Sequence, residues 1–148
     1  MKFQVLLAAL AATTMAQPTS CPKKTKFCVE TNPAPSVQEM SARFADFGHA
    51  FLVEKDVEKA FSHMVANYIN HNPQAQNGSQ WAIDQLKPMW SGTNITVLRI
   101  EFIYPQGWLN YISSAYGTIV DRYRFEGGCI VEHWDAGEKL PDNCTTSA

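Results

Sequence analysis

The sequence predicts an α+β domain in which helices come first and an antiparallel sheet follows. Two observations predict it: apolar residues recur at helical spacing between Val37 and Leu86, and from Leu98 onward apolar and polar residues alternate. A third is Gly127-Gly128, set between two alternating runs. Two glycines tolerate the positive φ of a tight hairpin turn.

The elements follow in order. Ser36-Val37-Gln38-Glu39 reads as a capping box, in which Ser36 accepts from a first-turn N–H and Glu39 reaches back. Behind it Val37, Met40, Phe44, Phe47 and Phe51 form one apolar face. Asp56 caps a second helix with Val57, Ala60, Phe61, Met64 and Val65 inward. His49 and His63 fall off these stripes and read as solvated. Asn72-Pro73 breaks the pattern, since proline lacks an N–H and restrains its predecessor. Ser79 starts a third helix that buries Ala82, Ile83, Leu86 and Trp90, with Pro88 kinking or ending it.

The period then changes to two. Leu98, Ile100, Phe102 and Tyr104 alternate with Val97, Arg99, Glu101 and Ile103. Pro105-Gln106-Gly107 turns the chain; Trp108 to Ala115 and Tyr116 to Phe125 read as strands, and Cys129 to Asp135 as the last one.

The 148 residues suit one domain. Residues 1–16 read as a signal peptide: Lys2, a short apolar run from Val5 to Ala12, then Thr14-Met15-Ala16 with cleavage before Gln17. The run is far shorter than the ~20 residues a spanning helix needs. A secreted protein with no membrane association after processing is expected. Residues 17–35 form an irregular, disulfide-pinned arm, 36–140 the domain and 141–148 a tail. The 4 cysteines, Cys21, Cys28, Cys129 and Cys144, then read as two disulfides, for which three pairings are open. Joining Cys129 to Cys21 or Cys28 would strap the arm to the last strand and is favoured over a short Cys21–Cys28 loop. Asn77, Asn94 and Asn143 each open a glycosylation sequon. The net charge of −2, without a basic run, argues against a nucleic-acid partner.

Two segments could carry chemistry. Tyr68-Ile69-Asn70-His71-Asn72-Pro73 puts a phenol, an imidazole and an amide at the end of the second helix. These side chains either orient an oxygen-rich ligand or tie down the turn before Pro73. The second segment is the final hairpin. Side chains alternate across a strand, so Asp121, Tyr123 and Phe125 share one face, and Val131, His133 and Asp135 share another, opposed by Ile130, Glu132 and Trp134. A carboxylate and an imidazole facing a cavity are costly unless paired or used. The alternative is an exposed face of cross-strand ion pairs.

These segments, with Gly78 and Asp121-x-x-Arg124, resemble the SnoaL-like polyketide cyclase family of the nuclear-transport-factor-2-like (NTF2-like) superfamily, from about Val37 to Asp135. The resemblance implies a cone: a bent antiparallel sheet packed by about three helices around one pocket. It implies an aldol-type ring closure on small polyketide-like compounds with no cofactor. It makes Asp121, His133 and Asp135 the proton-handling candidates, His71 and Asn72 ligand-orienting groups, and Tyr68, Trp90 and Trp134 wall or support residues. It also implies a small hydrophobic or oxygenated ligand and a homodimer. Cys129, Ala136-Gly137-Glu138, Trp108 to Tyr111 and Ser113 depart from the family pattern, Ser113 standing where some members carry a histidine. Ligand binding or protein interaction without turnover is therefore the alternative. No metal is expected, because His71, His133 and Asp135 lack a ligand spacing.

Overall fold

The computed structural model describes residues 26–141. The predicted leader, Cys21, Cys144 and Asn143 lie outside them.

Helix α1 spans Val37–His49 and opens on the expected capping box: Ser36 Oγ accepts from the Glu39 N–H at 3.2 Å, and Glu39 Oε2 accepts from the Ser36 N–H at 2.8 Å. Met40, Phe44 and Phe47 are buried, whereas Val37 is 52% exposed at the solvated first turn. A π-helical turn, Ala50–Glu54, continues the helix, and Lys55 in a left-handed conformation ends it. Helix α2 is short, Val57–Phe61, with Asp56 Oδ1 accepting from the Lys59 N–H at 2.9 Å.

The second helix stops earlier than the apolar spacing suggests. Met64–Asn70 is a strand, β1. Val65 and Ile69 are β-branched, and Asn67 and Asn70 are weak helix formers, so local helix preference is low here. The last strand supplies a pairing edge that satisfies the backbone. His63, expected to be solvated, is half-buried at the start of this strand, edge-on to Phe47.

Helix α3, Ser79–Trp90, runs through Pro88 to its end. Ser79 is its first residue, as expected, and Gly78 stands at the cap position. The Ser79 side chain is fully buried, and its hydroxyl donates to the Val65 carbonyl at 2.7 Å. The remaining strands are β2 (Ile95–Ile103), β3 (Gln106–Ser113), β4 (Gly117–Glu126) and β5 (Cys129–Trp134). They form one sheet in the order β1-β5-β4-β3-β2, antiparallel except for the parallel β1–β5 pair. Gly127 and Gly128 both have positive φ in the β4–β5 turn, as their sequence implied. Gly107 lets β3 approach α1, because a Cβ there would stand 2.6 Å from the Phe44 ring.

A bulge on β5 changes one predicted face. Phe125 pairs with Ile130 and Arg124 with Glu132, leaving Val131 as the extra residue. Ile130 therefore packs in the core, while Glu132 pairs with Arg124 on the outer face. Strict alternation had put Ile130 and Glu132 together.

The arm is fixed by a Cys28–Cys129 disulfide with the Cα atoms 5.7 Å apart. This is one of the two pairings favoured for Cys129. The Cys28 N–H also donates to the Met64 carbonyl at 2.8 Å, and Phe27 packs on the core. Among the described residues, no helix is long and apolar enough to cross a membrane.

Candidate active site

The helices cover one face of the curved sheet and leave a cavity of about 900 Å³ between them. One wall is aromatic and aliphatic, with Phe51, Phe61, Trp81, Leu86 and Trp90 on it. Trp90 stacks on Phe51, with ring centroids 4.4 Å apart, and its Nε1–H donates to the Phe51 carbonyl at 2.6 Å. Trp90 thereby lines the cavity.

The polar lining gathers around Asp121 and Asp135. Asp121 on β4 is 4% exposed. Its Oδ2 accepts from the Tyr111 hydroxyl at 2.9 Å and from the Tyr123 hydroxyl at 3.4 Å. Its Oδ1 lies 3.3 Å from His133 Nε2. The β4–β5 register sets His133 beside Tyr123, and the two rings stack at 4.8 Å. Burial pushes the phenols of Tyr68, Tyr111 and Tyr123 above their usual range, and the Asp121 and Asp135 charges add to it. All three phenols therefore stay protonated, and those of Tyr111 and Tyr123 donate to Asp121.

Asp135 follows β5. Its Oδ2 accepts from Asn72 Nδ2 at 2.6 Å, while its Oδ1 is buried with no hydrogen-bond partner among the described residues. Tyr68 is buried, and its hydroxyl accepts from Asn70 Nδ2 at 3.0 Å. Asp121, His133, Asp135, Tyr68 and Asn72 thus all line the cavity.

His71 and Trp134 do not. Neighbours on a strand point to opposite sides, and both fall on the outer face. There the His71 ring stacks on Trp134 at 4.4 Å and its Nε2 meets Glu132 at 2.9 Å. The Arg122 guanidinium covers Trp134 at 4.0 Å and pairs with Glu138. His71 is accordingly not placed to orient a ligand, nor Trp134 to wall the pocket.

His71, on the outer face, stands apart from His133 and Asp135. Instead, Asp121, His133 and Asp135 each offer a donor atom, and these lie within 4.8 Å of one another, near enough to share a proton or a small cation.

Sequence reasoning missed Asn70 and Tyr111. Tyr111 stands two residues along β3 from Leu109, the residue paired with Asp121, so the register makes it a diagonal neighbour. Period-two placement of Tyr68 and Asn70 on one strand was the signal for Asn70, hidden by the expected helix. Of the sequons, Asn94 and Thr96 are both exposed, whereas Asn77 precedes the buried Ser79 and its Oδ1 accepts from the Asn70 N–H at 2.9 Å.

A curved sheet covered by helices around a cavity has the cone form of NTF2-like folds. Comparison with solved structures agrees. A SnoaL-like protein of unknown function from Burkholderia thailandensis aligns with a TM-score of 0.54 at 11% identity, over 68% of this chain and 97% of its own. An NTF2-like protein of unknown function from Cytophaga hutchinsonii aligns with a TM-score of 0.51 at 18% identity, over 68% and 88%. A ketosteroid isomerase candidate from Kribbella flavida aligns with a TM-score of 0.54 at 13% identity, over 70% and 84%. At these identities the likeness is one of fold. No family model and no curated protein sequence matches the chain.

Proposed function

We propose that this protein is a secreted, cofactor-independent cyclase or isomerase that moves a proton next to a carbonyl in a small, uncharged, polyketide-like ligand. One observation carries the reading. Asp135 has one oxygen anchored by Asn72 and the other buried without a hydrogen-bond partner among the described residues, on the lining of an aromatic cavity and beside the Asp121–His133 pair. A carboxylate held this way is a general base. It takes the proton from the α-carbon: the C–H bond breaks, an O–H bond forms on Asp135, and the electron pair moves onto the carbonyl oxygen as an enolate. The protonated Tyr68 hydroxyl offers a hydrogen bond to that oxygen, and the His133–Asp121 pair stands beside Asp135 as a proton source. The enolate carbon attacks a second carbonyl of the same ligand, and the new alkoxide recovers the proton from Asp135. In an isomerisation the proton returns to a different carbon. The aromatic wall suits a flat, apolar skeleton.

The second reading, binding without turnover, is favoured by Ser113. This residue stands where some SnoaL-like proteins carry a histidine, lies off the cavity, and has its hydroxyl engaged by the Ala115 N–H at 3.2 Å.

The test is deuterium exchange at the α-carbon of an uncharged aromatic diketone in D2O, followed by NMR. The unmodified protein accelerates exchange and Asp135→Asn does not. Equal exchange from the unmodified, Asp135→Asn and Asp121→Asn proteins overturns the catalytic reading. Retained binding of the diketone without exchange in any of them establishes the second.

A further inference from the structure

We infer that Asn70 is a positioning residue that sets the tautomer of His133 and thereby keeps one mobile proton between His133 and Asp121. The inference rests on the proton-transfer reading for its consequence in turnover, but its geometry stands independently of that reading.

The donor and acceptor roles can be assigned around Asn70. Its Oδ1 lies 3.0 Å from the backbone N–H of Asn72, a group that can only donate. Its Nδ2 lies 3.0 Å from the Tyr68 hydroxyl, which can accept. Reversing the amide would set NH2 against the Asn72 N–H, so the network selects the orientation. Asn70 is itself anchored by its backbone N–H, which donates to Asn77 Oδ1 at 2.9 Å.

His133 Nδ1 lies 3.2 Å from that same Asn70 Oδ1, because the parallel β1–β5 register sets the two residues side by side. An amide oxygen only accepts, so Nδ1 carries a hydrogen. The other ring nitrogen, Nε2, then faces Asp121 Oδ1 at 3.3 Å. Two arrangements satisfy it: an imidazolium donating to a carboxylate, or a neutral ring accepting from a protonated carboxyl. Both hold a proton beyond the Nδ1–H.

Without Asn70 the simple solution differs. A neutral ring would carry its hydrogen on Nε2 and donate it to Asp121, leaving Nδ1 bare and no surplus proton. The tyrosines on Asp121 do not replace that proton, since their phenols are held protonated by burial. Asn70 therefore converts a passive donor into a pair holding a transferable proton. That pair lies within 4.8 Å of Asp135, so the site carries a proton source beside a base.

The test is 1H–15N correlation of the imidazole rings in the whole chain labelled with 15N-histidine. The chain has 4 histidines, and the signals lost in His133→Gln identify those of His133. The expected spectrum at neutral pH has a protonated Nδ1. In Asn70→Leu that hydrogen is lost and the ring becomes the Nε2–H tautomer, while Asn70→Asp, which keeps an oxygen acceptor, retains it. A bare Nδ1 in the unmodified protein overturns the inference without any variant. So does an unchanged His133 spectrum in a folded Asn70→Leu protein, with folding checked by near-ultraviolet circular dichroism. If Asn70→Leu does not fold, the spectrum of the unmodified protein decides alone. The measurement needs no substrate, so failure of the proposed reaction leaves it intact.

Discussion

Asn72 holds Asp135 by one oxygen. Its amide Nδ2 lies 2.6 Å from Oδ2, across a separation of 63 residues, and among the described residues Oδ1 has no partner. A turn residue thus aims the carboxylate that ends the sheet. Removing a partner from a half-buried carboxylate costs about 1–3 kcal/mol, because the partly desolvated group is left unsatisfied. Asn72→Ala is expected to lower unfolding free energy by that amount in urea denaturation and to reduce exchange activity. Unchanged stability would show that Asp135 finds water or another donor.

Asp135→Asn removes the base while keeping the side-chain shape. Positioned general bases contribute roughly 10²–10⁴-fold to rate, and a loss in that range is expected in the deuterium-exchange assay. The variant keeps ligand binding, measured by quenching of tryptophan fluorescence, because Trp81 and Trp90 line the cavity. Loss of binding and activity together would assign Asp135 to recognition instead.

His63 gives a pH dependence. Burial lowers its pKa below the ordinary 6.5, so the unfolded chain binds a proton more readily than the folded one. Stability then falls as pH drops through 6.5 and keeps falling until the folded-state value is passed. His63→Gln is expected to flatten unfolding free energy between about pH 7 and pH 5, since glutamine does not titrate there. An identical slope in the variant would place the pH dependence on other groups.

The Cys28–Cys129 bridge closes a loop across 101 residues. Loops of that size are stabilised by roughly 4–5 kcal/mol in the chain-entropy account. Replacing both cysteines with serine is expected to lower the Tm and to free the arm to proteolysis near Glu30. Unchanged Tm and protection would mean that Phe27 and the backbone bonds hold the arm unaided.

Much of this molecule was legible in local spacing. Ser36 and Asp56 cap the helices that their side chains announce, and Gly127-Gly128 turns the hairpin. Alternation put Asp121 on a face with Tyr123, and His133 with Asp135. The same rule applied to His71 would have set it against its neighbour Asn72, on the outer face where it lies. These features depend on residues two to four apart, and the backbone geometry of helix and strand translates such spacings directly into faces.

Tertiary structure decided the rest. The stretch from Met64 to Asn70 satisfies a helical stripe, yet becomes a strand because β5 offers a parallel edge to it. That pairing joins segments 63 residues apart and leaves no local period to read. It brings Asn70 to His133 and Asn72 to Asp135, and the bulge at Val131 turns Ile130 inward. The sequence by itself determined most of the elements and most of their faces; only the pairing of β1 with β5 made a strand of Met64–Asn70 and decided which polar side chains meet, because strand partnership is a contest among all available edges rather than a property of one segment.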